Sequence, residues 1–339
     1  MRAAGDSPGD PPGNRPSGSL PTGPHPTIGP GSVSMPRWPG PLLIIGGAVT
    51  ALGALAAATL VASDEVDIDR GILGPIALAG ALVFVCGLVY SAVREIRIRR
   101  FLPPERYRGP NVLVLLALVL VFASVANVPF GDDATALVFG DGELSLIGAT
   151  IILVSTQAAL LLVSWLFVYR PRALAGLPRF PGRDALRAAA LGVGWGVGAW
   201  VVSTLLIGIA AVVLEQLGVE PEPQAAERAI ELLNPVLVVL AIVVVAPIAE
   251  EVFFRGVVFN AWLREGGRRF AFIGSAVLFA VIHVSLVSLL PIFVLGLMLA
   301  WIYNRTGTLV APIAMHATVN AISVALALLV RFDVVRLPV

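Results

Sequence analysis

From Asn234 to Leu263 the chain reads NPVLVVLAIVVVAPIAEEVFFRGVVFNAWL. Only Glu250, Glu251 and Arg255 interrupt this apolar run with charge. A helix needs about 20 apolar residues to cross about 30 Å of hydrocarbon. The run is long enough, and a spanning helix satisfies its own backbone hydrogen bonds where no water reaches. The stretch therefore reads as a transmembrane helix with a polar cluster inside it.

Working outward, similar apolar segments occupy 41–62, 72–93, 111–130, 144–168, 188–214, 270–290, 291–303 and 308–330. The last break but one is placed at Pro291, because proline removes a backbone donor and ends or kinks a helix. The piece 291–303 is short, so a re-entrant or tilted course is an alternative to a full crossing. The expected fold is all-α, a polytopic membrane protein of about eight to nine transmembrane helices.

Composition agrees. Of 339 residues, 57% are hydrophobic and 13% charged, and the mean hydropathy is +0.90. Soluble domains carry about 45–50% apolar and about 25% charged residues. A soluble domain is excluded on that ground, and so is a nucleic-acid binder, since the net charge is only +1. The single cysteine, Cys86, permits no disulfide framework within the chain and no thiolate metal site.

Residues 1–40 hold ten Pro and eight Gly without an apolar run. Such a segment buries too little surface to offset chain entropy, so a disordered tail is expected there rather than a secretory signal. Arg94, Arg97, Arg99, Arg100, Arg106 and Arg108 follow the second span, and Arg170, Arg172, Arg179, Arg183 and Arg187 the fourth. Arg264, Arg268 and Arg269 follow the sixth and Arg305 the eighth, whereas the intervening loops are mainly acidic. Cationic loops stay in the cytoplasm, which predicts a multi-pass protein of the cell membrane with a cytoplasmic N-terminus. The expected division is a tail at 1–40, N-terminal transmembrane helices at 41–185 and a functional core at 186–339. Gly192, Gly194, Gly196 and Gly198 follow no strand, so they read as close helix packing and not as a phosphate loop.

Charges within a span cost about 2.5–3.5 kcal/mol each on insertion scales. Glu251 and Arg255 are four apart on one helix face and can pair. Glu250 lies about 100° away, with Phe253 and Phe254 as its helical neighbours and no local partner. Adjacent carboxylates resist carrying charge together, and one acid neutralised beside one left free suits general-base work. His283 and His316 fall in later apolar segments, and Asn320 shares a face with His316. Glu250 is about 21 Å from Arg264 and His283 about 20 Å from Phe270, so antiparallel helices bring them to one level.

Three motifs now stand in series: Glu-Glu-x-x-x-Arg (Glu250 to Arg255), Phe-x-x-x-His (Phe279 to His283) and His-x-x-x-Asn (His316 to Asn320). Over roughly 230–330 the chain resembles the CPBP family of intramembrane proteases, the type II CAAX prenyl endopeptidases and their bacterial Abi relatives. The resemblance implies a hydrolase that cleaves peptide bonds. It makes Glu250 the base that activates water, assisted by His283. It gives His316 and Asn320 the oxyanion, and makes Glu251, Arg255 and Phe279 structural support. Family members have been described both as metalloproteases and as metal-independent glutamate proteases. If zinc is present, Glu250, His283 and His316 are its ligand set, with water as the fourth ligand. The usual helical zinc signature is absent, and the metal-free mechanism is preferred.

CAAX-tail cleavage belongs to eukaryotic relatives. The all-Arg, Gly- and Ala-rich sequence looks bacterial, so the expected partners are the lipid bilayer and a peptide or membrane-protein substrate, with no nucleic acid. Two alternatives are a catalytically silent immunity or scaffold protein and a proton-coupled transporter. Intramembrane Glu and His also build proton relays, but the polar residues cluster in the C-terminal third and no matching second half is visible.

Overall fold

The computed structural model describes residues 36, 38–62, 70–125, 146–174, 184–218, 230, 234–283 and 285–334. Its helices in chain order are α1 (Pro39–Ala62), α2 (Arg70–Arg99), α3 (Val112–Val125), α4 (Leu146–Ser164, continued by a wide turn Trp165–Tyr169) and α5 (Ala185–Gln216). They continue as α6 (Pro235–Glu265), α7 (Gly267–Val281), α8 (Leu289–Thr306) and α9 (Val310–Arg331). No strand occurs among the described residues. The chain is a polytopic helical membrane protein. Among the described residues five helices are long and apolar enough to cross a bilayer: α2 from Pro75, α5, α6, α8 and α9. Shorter apolar runs lie in α1, α3 and α4.

Each expected span coincides with a helix, with one correction. The break in the apolar stretch 270–303 falls earlier than Pro291. Helix α7 stops after Val281, residues 282, 283 and 286–288 turn, and α8 begins at Leu289. Ser285 Oγ accepts a hydrogen bond from the Ser288 backbone N–H at 3.3 Å within that turn. Pro291 then sits in the first turn of α8, where its missing N–H has no intrahelical partner to lose. The tail at 1–35 and the acidic loops around 63–69, 126–145 and 219–229 lie outside the described residues.

The N-terminal and C-terminal helices share one core. Leu88, Leu115, Leu160, Phe253, Leu299 and Met315 are all fully or almost fully buried in a single apolar cluster. Helix α5 packs along α9 through two of its four glycines. A Cβ on Gly192 would stand 2.8 Å from Ala314 Cβ, and one on Gly196 would stand 2.8 Å from the Met315 carbonyl. Gly194 and Gly198 have nothing within 4 Å. The alternation separates a packing face from a lipid-facing one, as small residues at i, i+4 allow.

The polar contacts gather the arginines at one end. Arg99 at the end of α2 pairs with Glu265 at the end of α6 at 2.5 Å. The Arg108 backbone N–H donates to the Ala173 carbonyl just beyond α4 at 2.9 Å. Helices α5, α7 and α9 start at this end and α8 finishes there, which adds Arg187, Arg268, Arg269 and Arg305.

Candidate active site

Helix α6 is not a regular α-helix. Two wide turns, Val239–Val245 and Val252–Phe259, flank a six-residue island of ordinary helix, Ala246–Glu251. Pro247 explains the first. It lacks an N–H and its ring crowds the preceding turn, and such bulges absorb the misfit. The Ala246 N–H reaches back five residues to the Ala241 carbonyl. In that pattern the next carbonyl, Ile242, would need a donor from residue 247, which is proline. Asn320 on α9 supplies it: its Nδ2 donates to the Ile242 carbonyl at 2.8 Å.

The island carries the two acids to α9. Glu251 is fully buried and its Oε1 accepts from Arg255 Nη1 at 3.0 Å. Arg255 is also fully buried; its Nη2 donates to the Gly296 carbonyl at 3.0 Å, and its guanidinium lies 4.6 Å over the Phe279 ring. The same Glu251 Oε1 lies 3.1 Å from His316 Nδ1. A carboxylate already accepting from Arg255 is an acceptor here too, so His316 donates from Nδ1 and turns its Nε2 outward. That Nε2 is 3.9 Å from Glu250 Oε2. Glu250 Oε2 is hidden from solvent and has no hydrogen-bond partner among the described residues. The two atoms thus face one another across a gap too long for a direct bond, which a water would bridge.

Residues 232–322 match the family described as Type II CAAX prenyl endopeptidase Rce1-like. The chain is also similar to the protein named "Putative membrane peptidase YdiL" of Bacillus subtilis (strain 168), 27% identical over 132 residues, 38% of this chain and 54% of that protein. It is similar as well to "UPF0177 protein YxdF" of Lactococcus lactis subsp. lactis (strain IL1403), 30% identical over 78 residues, 23% of this chain and 42% of that protein. The chain spans about half the length of the curated relatives it matches. No solved structure matches it.

The matched segment contains every candidate residue, but it does not bring them together equally. Glu250, Glu251, Arg255 and His316 form one contact chain. Phe279 stacks edge-on against both imidazoles, 4.9 Å from His283 and 5.7 Å from His316. His283 corrects the expectation that it lies within a span: it stands in the turn after α7, with Nδ1 2.7 Å from the Phe279 carbonyl. Glu250 therefore has His316, not His283, as its close imidazole. Among the described residues no three His, Cys, Asp or Glu side chains are grouped to hold a metal ion. Glu250, His283 and His316 do not form such a group, although the bond from His283 Nδ1 to its own backbone leaves its Nε2 free. The metalloprotease reading finds no support in this geometry.

Sequence reasoning treated Glu251 as support for Arg255 alone and missed its bond to His316. It also missed the link from Asn320 to Ile242. The signal for the second was present in Pro247, which leaves a carbonyl on the preceding turn without a donor.

Proposed function

We propose that the chain is an intramembrane endopeptidase that hydrolyses peptide bonds of membrane-associated peptides or proteins with a water activated by Glu250 and His316. The observation that carries this reading is the facing pair Glu250 Oε2 and His316 Nε2, 3.9 Å apart within the apolar interior. Glu250 takes one proton from water as its oxygen attacks the scissile carbonyl carbon. The amide π pair moves onto oxygen, giving a tetrahedral oxyanion. When this collapses, the C–N bond breaks and the proton on Glu250 passes to the leaving nitrogen. His316 holds the second water hydrogen, and Glu251 with Arg255 fixes its tautomer. Asn320 Nδ2 spends one hydrogen on Ile242 and keeps a second, which is the donor nearest in sequence and face to His316 for the oxyanion. The reaction needs no metal ion in this scheme. The Arg-rich end is the cytoplasmic side by the charge rule, which puts the N-terminus in the cytoplasm.

The test is reconstitution of the full chain in liposomes with a membrane-peptide library. Glu250→Ala should lower cleavage by about 10²–10⁴-fold, the usual weight of a general base. Persistent cleavage in Glu250→Ala refutes the assignment. Chelation should leave the rate of the wild-type chain unchanged, with metal content measured in parallel.

A further inference from the structure

Helices α5 and α8 flank a shallow groove of about 280 Å³ lined by Trp195, Leu297, Met298 and Trp301. The two indoles meet edge-on with centroids 4.8 Å apart, which fixes the register of the two helices. Counting toward the Arg-rich end, Arg305 stands four residues beyond Trp301 on α8, and Arg187 eight residues beyond Trp195 on α5. These offsets are about 6 and 12 Å of helical rise. Both arginines are exposed, and neither takes part in an ion pair among the described residues. The Arg305 guanidinium lies 5.8 Å from the Trp301 ring, which holds it above the groove.

We propose that this groove binds one anionic glycerophospholipid of the Arg-rich leaflet, acyl chain along Trp195, Leu297, Met298 and Trp301, phosphate between Arg187 and Arg305. The charge order carries the choice of occupant. An apolar slot at hydrocarbon depth has Arg305 against its Trp301 and Arg187 about two turns beyond its Trp195, neither in an ion pair among the described residues, and tryptophan marks the level where apolar and charged zones meet. A second copy of this chain would bring its own arginines against these two, since the same end of every copy lies in one leaflet. A zwitterionic lipid fills the slot but leaves the cations without a net anion.

The probe is the full chain in nanodiscs of mixed phosphatidylglycerol and phosphatidylcholine, released into native mass spectrometry. Two arginines near an anionic surface correspond to about a thirtyfold preference for phosphatidylglycerol. The Arg187→Gln/Arg305→Gln variant should retain both lipids equally. Equal retention by the wild-type chain overturns the proposal, as does an undiminished preference in the variant. A lipid-free dimer buried on this face overturns it as well. A second measurement needs no arginine variant. Phosphatidylglycerol with brominated chains should quench the wild-type chain more than Trp301→Phe relative to total emission, and equal fractional quenching places the lipid elsewhere.

Discussion

Arg255→Met tests the energetics of the site directly. Arg255 is fully buried and makes two bonds of 3.0 Å, one to Glu251 Oε1 and one to the Gly296 carbonyl. Methionine fills similar space but leaves Glu251 buried with His316 as its remaining partner, and leaves the Gly296 carbonyl without a donor from residue 255. Breaking a buried ion pair from one side costs about 3–5 kcal/mol. That is a large part of the about 5–15 kcal/mol that holds a folded protein together. Glu251→Gln should cost a comparable amount, because the guanidinium is then the uncompensated charge. The double variant buries no charge from this pair and loses chiefly the second bond to the Gly296 carbonyl, which α8 still pairs within the helix, about 0.5–1.5 kcal/mol. It should therefore be more stable than either single variant, a coupling of several kcal/mol of the kind that contacting residues show. Reversible unfolding in bicelles, followed by steric trapping, measures all three. Single variants that each cost less than about 1 kcal/mol, or a double variant whose loss is the sum of the singles, would refute the buried-pair reasoning.

Asn320→Ala should cost about 1–3 kcal/mol by orphaning the Ile242 carbonyl, and Pro247→Ala should restore much of it by returning an N–H to that position, as read from the same unfolding assay. Gly196→Val should weaken the α5–α9 contact by about 1–3 kcal/mol through overpacking against Thr318 and Met315. Gly198→Val, with nothing within 4 Å of its Cβ, should cost less than about 1 kcal/mol in thermal melts.

The helical layout was legible because an apolar run of spanning length leaves the backbone few alternatives, and helix α6 from Pro235 to Glu265 follows the quoted stretch closely. The Glu251–Arg255 pair was legible for a similar reason: four residues on one helix are neighbours whatever the tertiary structure. The meeting of His316 with both acids was only half legible. Depth counting levels Glu250 with His283 on α7 and not with His316 on α9, and the rotation of α6 and α9 about their own axes decides which acid takes Nδ1. That rotation follows from the wide turn before Pro247 and from the seat of α5 on α9 at Gly192 and Gly196, neither of which hydropathy encodes. His283 was misplaced because Pro291 is the loudest breaker in 270–303. The quieter pair Ser285 and Ser288 marks the turn, through short-range hydrogen bonding that competes with helix.

The broadened turns around Ala246–Glu251 give α6 slack on both sides of its acids. A turn bonded five residues back holds one residue more than ordinary pitch requires. Losing a single residue from Val239–Val245 would tighten that coil and leave the azimuth of the carboxylates toward α9 as it is. Losing one from inside the short island would swing one flank by about 100° against the other, and the acid would no longer face its imidazole. Length variation along this helix is thus cheap on its shoulders and prohibitive across six central positions.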